Sequence, residues 1–161
     1  MSDPTTAVRE HLVRVLDWGE AHVTFDKAVD GITPDRQGAR TDGFEHTLWQ
    51  LVEHIRIAQE DILRFSQSDA HKSPPWPKGY WPGFPGPARE GQWQETVDAV
   101  RRDLAEFESL LKDPAQDLFR KLPWGEGQTL LREALLLADH NAYHVGQMVL
   151  LRQQLGVWPA S

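Results

Sequence analysis

The sequence predicts an all-α protein, a four-helix bundle with one long proline- and aromatic-rich loop between its second and third helices. Three observations carry that expectation. Apolar residues recur at three- and four-residue steps in four separate stretches. Residues suited to helix capping stand at the start of these stretches. No segment gives a credible strand.

The first helix opens at Asp3-Pro4, a capping carboxylate followed by a proline whose missing amide is harmless in the first turn. Val8, Leu12, Val15, Leu16, Ala21 and Phe25 follow at roughly helical spacing. One helix is therefore expected up to Gly31 and Pro34, with 31–43 as a loop. The second helix opens at Thr47-Leu48-Trp49-Gln50, a capping box in which Thr and Gln satisfy each other's orphan amides. Its stripe of Leu48, Leu51, Ile55, Ala58, Ile62 and Phe65 is uninterrupted.

Residues 68–90 break the pattern. They hold Pro74, Pro75, Pro77, Pro82, Pro85 and Pro87 among Trp76, Tyr80, Trp81 and Phe84. Neither helix nor strand tolerates that proline density. The aromatics argue for an ordered loop, because disordered segments are poor in them. Two readings are open for it: a hydrophobic clasp packed across two helices, which is the favoured one, and a wall or lid over a cleft. The third helix runs from about Gly91 to Lys112 on Trp93, Val97, Val100, Leu104, Phe107 and Leu111, and stops before Pro114. A second loop contains Pro123, Trp124, Gly125 and Gly127. The fourth helix is capped by Thr129 and extends to Gly156, which suits a left-handed C-terminal position. Four such helices give an up-down bundle, with the long crossover joining the second and third.

The chain of 161 residues is expected to form a single domain over 1–161. An apolar fraction of 40% and a charged fraction of 25% are those of an ordinary globule. A net charge of −7 with no basic patch argues against nucleic acid, whose phosphates need clustered Lys and Arg. No apolar run approaches the ~20 residues that span a bilayer, so no membrane partner is expected. The opening Met1-Ser2-Asp3-Pro4 lacks a basic stretch followed by an apolar run, and a cytoplasmic address is the default expectation. The chain has no cysteine, so a metal would have to sit on His, Asp or Glu.

His140 and His144 are four residues apart on the fourth helix. Their side chains stand about 40° apart around the axis and about 6 Å apart along it. They lie at the edge of the apolar face, in the stripe Glu133, Leu137, His140, His144, Gln147 and Leu151. A half-buried imidazole left without a partner costs ~1–3 kcal/mol, so the pair calls either for a metal or for hydrogen bonds to carboxylates. Open zinc sites use three protein ligands, and His54, at the edge of the second helix's stripe, is the best third candidate. Its competing reading is a core-edge histidine bonded to a carbonyl. His46 could line the mouth of a site. His11 and His22 read as solvent-facing or interfacial, and His71 carries no assignment.

The segment Leu48-Trp49-Gln50-Leu51-Val52-Glu53-His54-Ile55, with Ala138-Asp139-His140-Asn141-Ala142-Tyr143-His144-Val145-Gly146-Gln147 far downstream, resembles the DinB-like (DinB/YfiT) superfamily. The resemblance covers nearly the whole chain. It implies an up-down-down-up type of bundle that holds zinc or nickel on His54, His140 and His144. It also implies a homodimer formed through helix faces. The activities it implies are thiol-dependent S-transfer or isomerisation with a low-molecular-weight thiol such as bacillithiol or mycothiol.

Three neutral imidazoles leave positions open on a divalent ion, which can then activate a water or a thiol and polarise a small-molecule substrate. The first expectation is therefore a metal-dependent enzyme, either a thiol S-transferase or a hydrolase. The alternative is a non-catalytic bundle in which the ion staples two helices together. Glu53, Asp139 and Glu133 are the nearest candidate bases, but Glu53 and Asp139 point about 100° away from the ligands, and Glu133 lies about two turns from His140. None receives a catalytic assignment. Trp18 and Trp158 read equally as interface residues or as core or loop packing.

Overall fold

The computed structural model describes residues 3–17 and 19–158; Met1, Ser2, Trp18 and residues 159–161 fall outside them. Its helices are α1 (Pro4–Leu16), α2 (Phe25–Val29), α3 (Pro34–Gln37), α4 (Leu48–Gln67), α5 (Gln92–Lys112) and α6 (Leu130–Gln154), with a 3₁₀ turn at Lys78–Tyr80. The described residues contain no strand; Lys121 and Thr129 form one isolated bridge. No helix among them is long and apolar enough to cross a membrane.

Three of the four expected helices stand as read. Thr47 accepts from the Gln50 amide while the Gln50 side chain takes the Thr47 amide, which completes the capping box of α4. Thr129 caps α6, and Gly156 takes the left-handed conformation (φ 67°) just beyond its end. The first helix is a correction, because the single helix expected up to residue 30 is two pieces, α1 and α2. Asp17 leaves the helical region (φ −130°, ψ 48°), and the Gly19 amide turns back onto the Asp17 carbonyl. Thr24 then starts α2 by accepting from the Lys27 amide. This break turns the chain so that Ala28, Val29 and Ile32 reach the core, which a straight continuation of α1 would not do. Pro34 opens α3 inside the segment read as loop.

Cross-links between helices fix the directions. Glu53 meets Thr96, Gln59 meets the Val100 carbonyl and Arg64 meets Glu106, so α4 and α5 run parallel. Arg9 meets the Leu111 carbonyl while Asp26 meets Arg101, which sets the α1–α2 segment antiparallel to α5. Leu51 and Ile55 at the start of α4 share one apolar cluster with Met148 and Leu151 near the end of α6, while Ile62 and Leu63 share the other with Leu130 and Ala134, so α6 is antiparallel to α4. The order is up-down-down-up, and the 68–91 crossover makes the parallel pair possible, since a short loop could only reverse direction.

Two apolar clusters fill the bundle. One joins Leu51, Ile55, Val100 and Met148 at the end nearest α2. The other joins Leu16, Leu63, Phe107 and Leu137 at the opposite end. Arg152, almost wholly buried, donates to the Lys27, Ala28, Asp30 and Val157 carbonyls and lies over the Trp158 ring, which ties α2 to α6. His54, His140 and His144 project from the middle of α4 and α6, beneath the proline-rich loop.

Candidate metal centre

Each of the three histidines is turned by a fixed partner. His54 Nδ1 lies 2.8 Å from the Tyr80 carbonyl oxygen, His144 Nδ1 lies 2.7 Å from Gln147 Oε1, and His140 Nδ1 lies 3.3 Å from Asn141 Oδ1. Oxygens of this kind accept, so each Nδ1 carries the proton and each Nε2 is left with a lone pair. The three rings converge: centroids are 4.9 Å apart for His54 and His140, and 4.5 Å for each of these with His144. One ligand nitrogen from each residue falls within 4.8 Å of the other two, and the set could hold a metal ion.

This donor set fits a divalent ion. The Nε2 atoms of His54 and His140 stand only 3.0 Å apart. Two lone pairs at that distance repel each other unless a cation or proton lies between them. Burial pushes the His54 and His144 imidazoles down to about 4, assisted by neighbouring imidazoles and opposed by the Tyr80 and Gln147 bonds. Burial lowers His140 as well, against the pull of Asn141 and Asp139. At neutral pH all three are therefore unprotonated, the form that binds metals. Ligand imidazoles that donate their other nitrogen to an oxygen are held in one orientation and made more basic.

His140 is also linked to the bundle interior. Its partner Asn141 donates to Gln59 Oε1 (2.9 Å), and Gln59, wholly buried, donates to the Val100 carbonyl (2.6 Å). The helix that supplies no histidine thereby braces one that does.

The proline-rich loop forms part of the site. Trp81 stacks on His54 at 3.9 Å and 3°, and on His46 at 3.7 Å and 14°. A cavity of about 530 Å³ opens beside the three histidines, with Asp61, Trp76, Tyr80, Trp81 and Tyr143 in its lining. Asp61 fastens the loop by accepting from the Tyr80 hydroxyl (2.6 Å) and meeting His71 Nε2 (2.7 Å). Burial and the Asp61 carboxylate raise the Tyr80 phenol to about 12, so it stays protonated and donates. Of the two readings of this loop, the wall of a cleft describes Trp76, Tyr80 and Trp81, whereas the loop's contacts to Asp61 are polar and made to α4 alone, unlike the favoured hydrophobic clasp across two helices.

Among the other sequence candidates, His46 borders a smaller cavity on the far side of Trp81. His11 and His22 are exposed. Glu53 is engaged by Arg56 and Thr96. Glu133 is buried against Arg132, and that burial raises its carboxyl. Neither acid lines the larger cavity; Asp139 does. Sequence reasoning missed Asp61, Gln59 and Asn141. Asp61 was legible in principle, because it lies seven residues, two turns, beyond His54 on the same helix.

Comparison with protein families matches residues 18–148 to the DinB superfamily. Comparisons with curated proteins and with solved structures give no significant match. The match spans most of the chain, and the helical bundle with its three-histidine cluster agrees with it: the chain belongs to the DinB superfamily.

Proposed function

We propose that this chain is a divalent-metal-dependent enzyme acting on a small molecule, with His54, His140 and His144 as the ligands of zinc or nickel. The observation that carries the reading is that one ligand nitrogen from each of the three imidazoles, each ring held by an Nδ1 hydrogen bond, comes within 4.8 Å of the others at the wall of a cavity. A structural zinc site normally closes with four protein ligands. Here only three histidines converge among the described residues, and a cleft adjoins them. Those features favour chemistry over a staple.

An ion held by three imidazoles lowers the pKa of a bound thiol or water and polarises a substrate. The chain has no cysteine, so a thiol nucleophile has to come from a low-molecular-weight cosubstrate. S-transfer with such a thiol is the leading reaction, and hydrolysis is the second. The protein's own part is to hold the imidazoles neutral and oriented, and to supply an apolar wall, chiefly Trp81, that keeps water from one side of the site. The chain is further proposed to act as one domain and as a homodimer in the cytoplasm; the exposed Leu135 and Leu150 on α6 support association through a helix face.

The test is metal content by mass spectrometry on protein purified without a histidine tag, repeated with His144→Ala. About one ion per chain in the parent, lost in the variant, is expected. Metal well below that, unchanged by the substitution, rules the reading out. Turnover of an electrophilic chromogenic acceptor with assorted thiols, compared with the metal-stripped protein, then separates the S-transferase from the non-catalytic alternative.

A further inference from the structure

The cavity beside the histidines is unusual in its charge and in the aromatics it leaves in water. Trp76 is 79% exposed and Tyr143 64% exposed, and both stand in its lining. Folding alone gives no reason to hold two large rings in solvent at one mouth. Ile62 of α4 and Leu136 of α6 add apolar surface to the same lining. The only formal charges in the lining are the carboxylates of Asp61 and Asp139, with no Lys or Arg. Both Asp61 oxygens are committed to His71 and Tyr80. Asp139 is exposed and makes no hydrogen bond or ion pair among the described residues. Asp61 stands seven residues from His54 on α4, so the cleft runs about 10 Å away from the imidazoles. A volume of about 530 Å³ suits a small organic molecule.

We infer that the ligand of this cleft is a hydrophobic amine, with an aromatic or aliphatic body lying among Trp76, Trp81 and Tyr143 and a cationic end at the Asp139 rim. The inference rests on the cleft being the substrate site of the proposed enzyme. Aromatic faces attract a desolvated cation through their quadrupoles, and an unpaired carboxylate beside them adds direct attraction. An anionic group at this rim would meet the Asp139 carboxylate, and no Lys or Arg lines the cleft to pair with it. The cleft therefore selects against substrates or cosubstrates whose outer end carries carboxylates or phosphates.

Calorimetry on tag-free protein as purified tests this with three probes that share a phenyl body and are poor metal ligands: benzyltrimethylammonium, benzyl alcohol and benzenesulfonate. The cation is expected to bind at least about ten-fold tighter than the sulfonate, with the alcohol between them. Asp139→Asn, an exposed and nearly isosteric change, is expected to shrink that gap to about three-fold or less without moving the melting temperature. Trp76→Ala is expected to weaken all three. A sulfonate that binds as tightly as the cation, a preference that survives Asp139→Asn, or no binding by any probe overturns the inference. Metal content measured on the same sample keeps the two readings apart. Metal present without cation preference refutes the ligand class alone, and cation preference without metal refutes the metal reading alone.

Discussion

His54 and His140 face each other through their Nε2 atoms at 3.0 Å, and each has its proton on the opposite nitrogen. Without an ion between them, this pairing is a local liability that the rest of the bundle has to offset. His140→Leu is therefore expected to act with opposite signs on two properties. Metal uptake falls to background, while the melting temperature of the metal-stripped protein rises by roughly 2–4 °C, about 1 kcal/mol for a chain of this size. Mass spectrometry and thermal melts on the same preparations check both. A metal-free variant that melts lower than the metal-free parent contradicts the lone-pair argument.

Gln147 touches the site only through His144, at 2.7 Å. Gln147→Ala frees the imidazole to rotate and removes an acceptor that raises its basicity. Metal affinity is expected to weaken about ten-fold, by competition with a chelator, with little change in the thermal stability of the stripped protein. Gln147→Glu, which keeps an acceptor at that place, should restore most of the loss. Equal affinities in parent and Ala variant would show that the contact does not orient the ligand.

Gln59 belongs to a different class, since it joins three helices. Gln59→Leu leaves Asn141 Nδ2 without its acceptor and removes the donor to the Val100 carbonyl. Loss of such buried partners costs about 1–3 kcal/mol, read as a lower urea midpoint, and metal affinity should fall as well because Asn141 no longer holds His140. Unchanged affinity beside a lowered midpoint would make the residue structural alone.

Asp103 supplies a pH signature far from the histidines. It is 2% exposed, its Oδ1 has no hydrogen-bond partner among the described residues, and Arg102 stands 3.3 Å away. Burial raises its carboxyl above 3.8, against the pull of Arg102 and Arg64 and assisted by Glu60. A raised folded value means that this group's stabilising contribution is complete below pH 3.8 and is lost as pH climbs through the folded value. Asp103→Asn removes the ionisation, so its melting temperature is expected to exceed the parent's by roughly 2–6 °C at pH 7, with the gap closing towards pH 3.5. A gap that is constant across that range refutes the burial argument.

Much of this was readable from the chain alone. Regular apolar steps and the Thr47 and Thr129 caps marked α4 and α6, and these two long helices carry all three histidines. The i, i+4 spacing put His140 and His144 on one face because helix geometry is local. The break after Leu16 was not legible. Ala21 and Phe25 continue the helical spacing, and only tertiary packing of Ala28, Val29 and Ile32 favours a turn there. The roles of Asp61, Gln59 and Asn141 depend on what lies opposite each of them across the bundle, information that no spacing within one helix contains. The proline-rich loop could be recognised as ordered from its aromatics. That Trp81 would lie flat on His54 required the crossover's path in three dimensions.

That stacked indole has an optical consequence. Trp81 emits light from 3.9 Å above one ligand imidazole, so an open-shell ion such as nickel held at His54 would darken it, whereas closed-shell zinc would leave it bright. The difference in emission between the parent and Trp81→Phe isolates this one ring from the other six tryptophans. The wall of the cleft thus carries a lamp whose brightness would name an ion bound beside it.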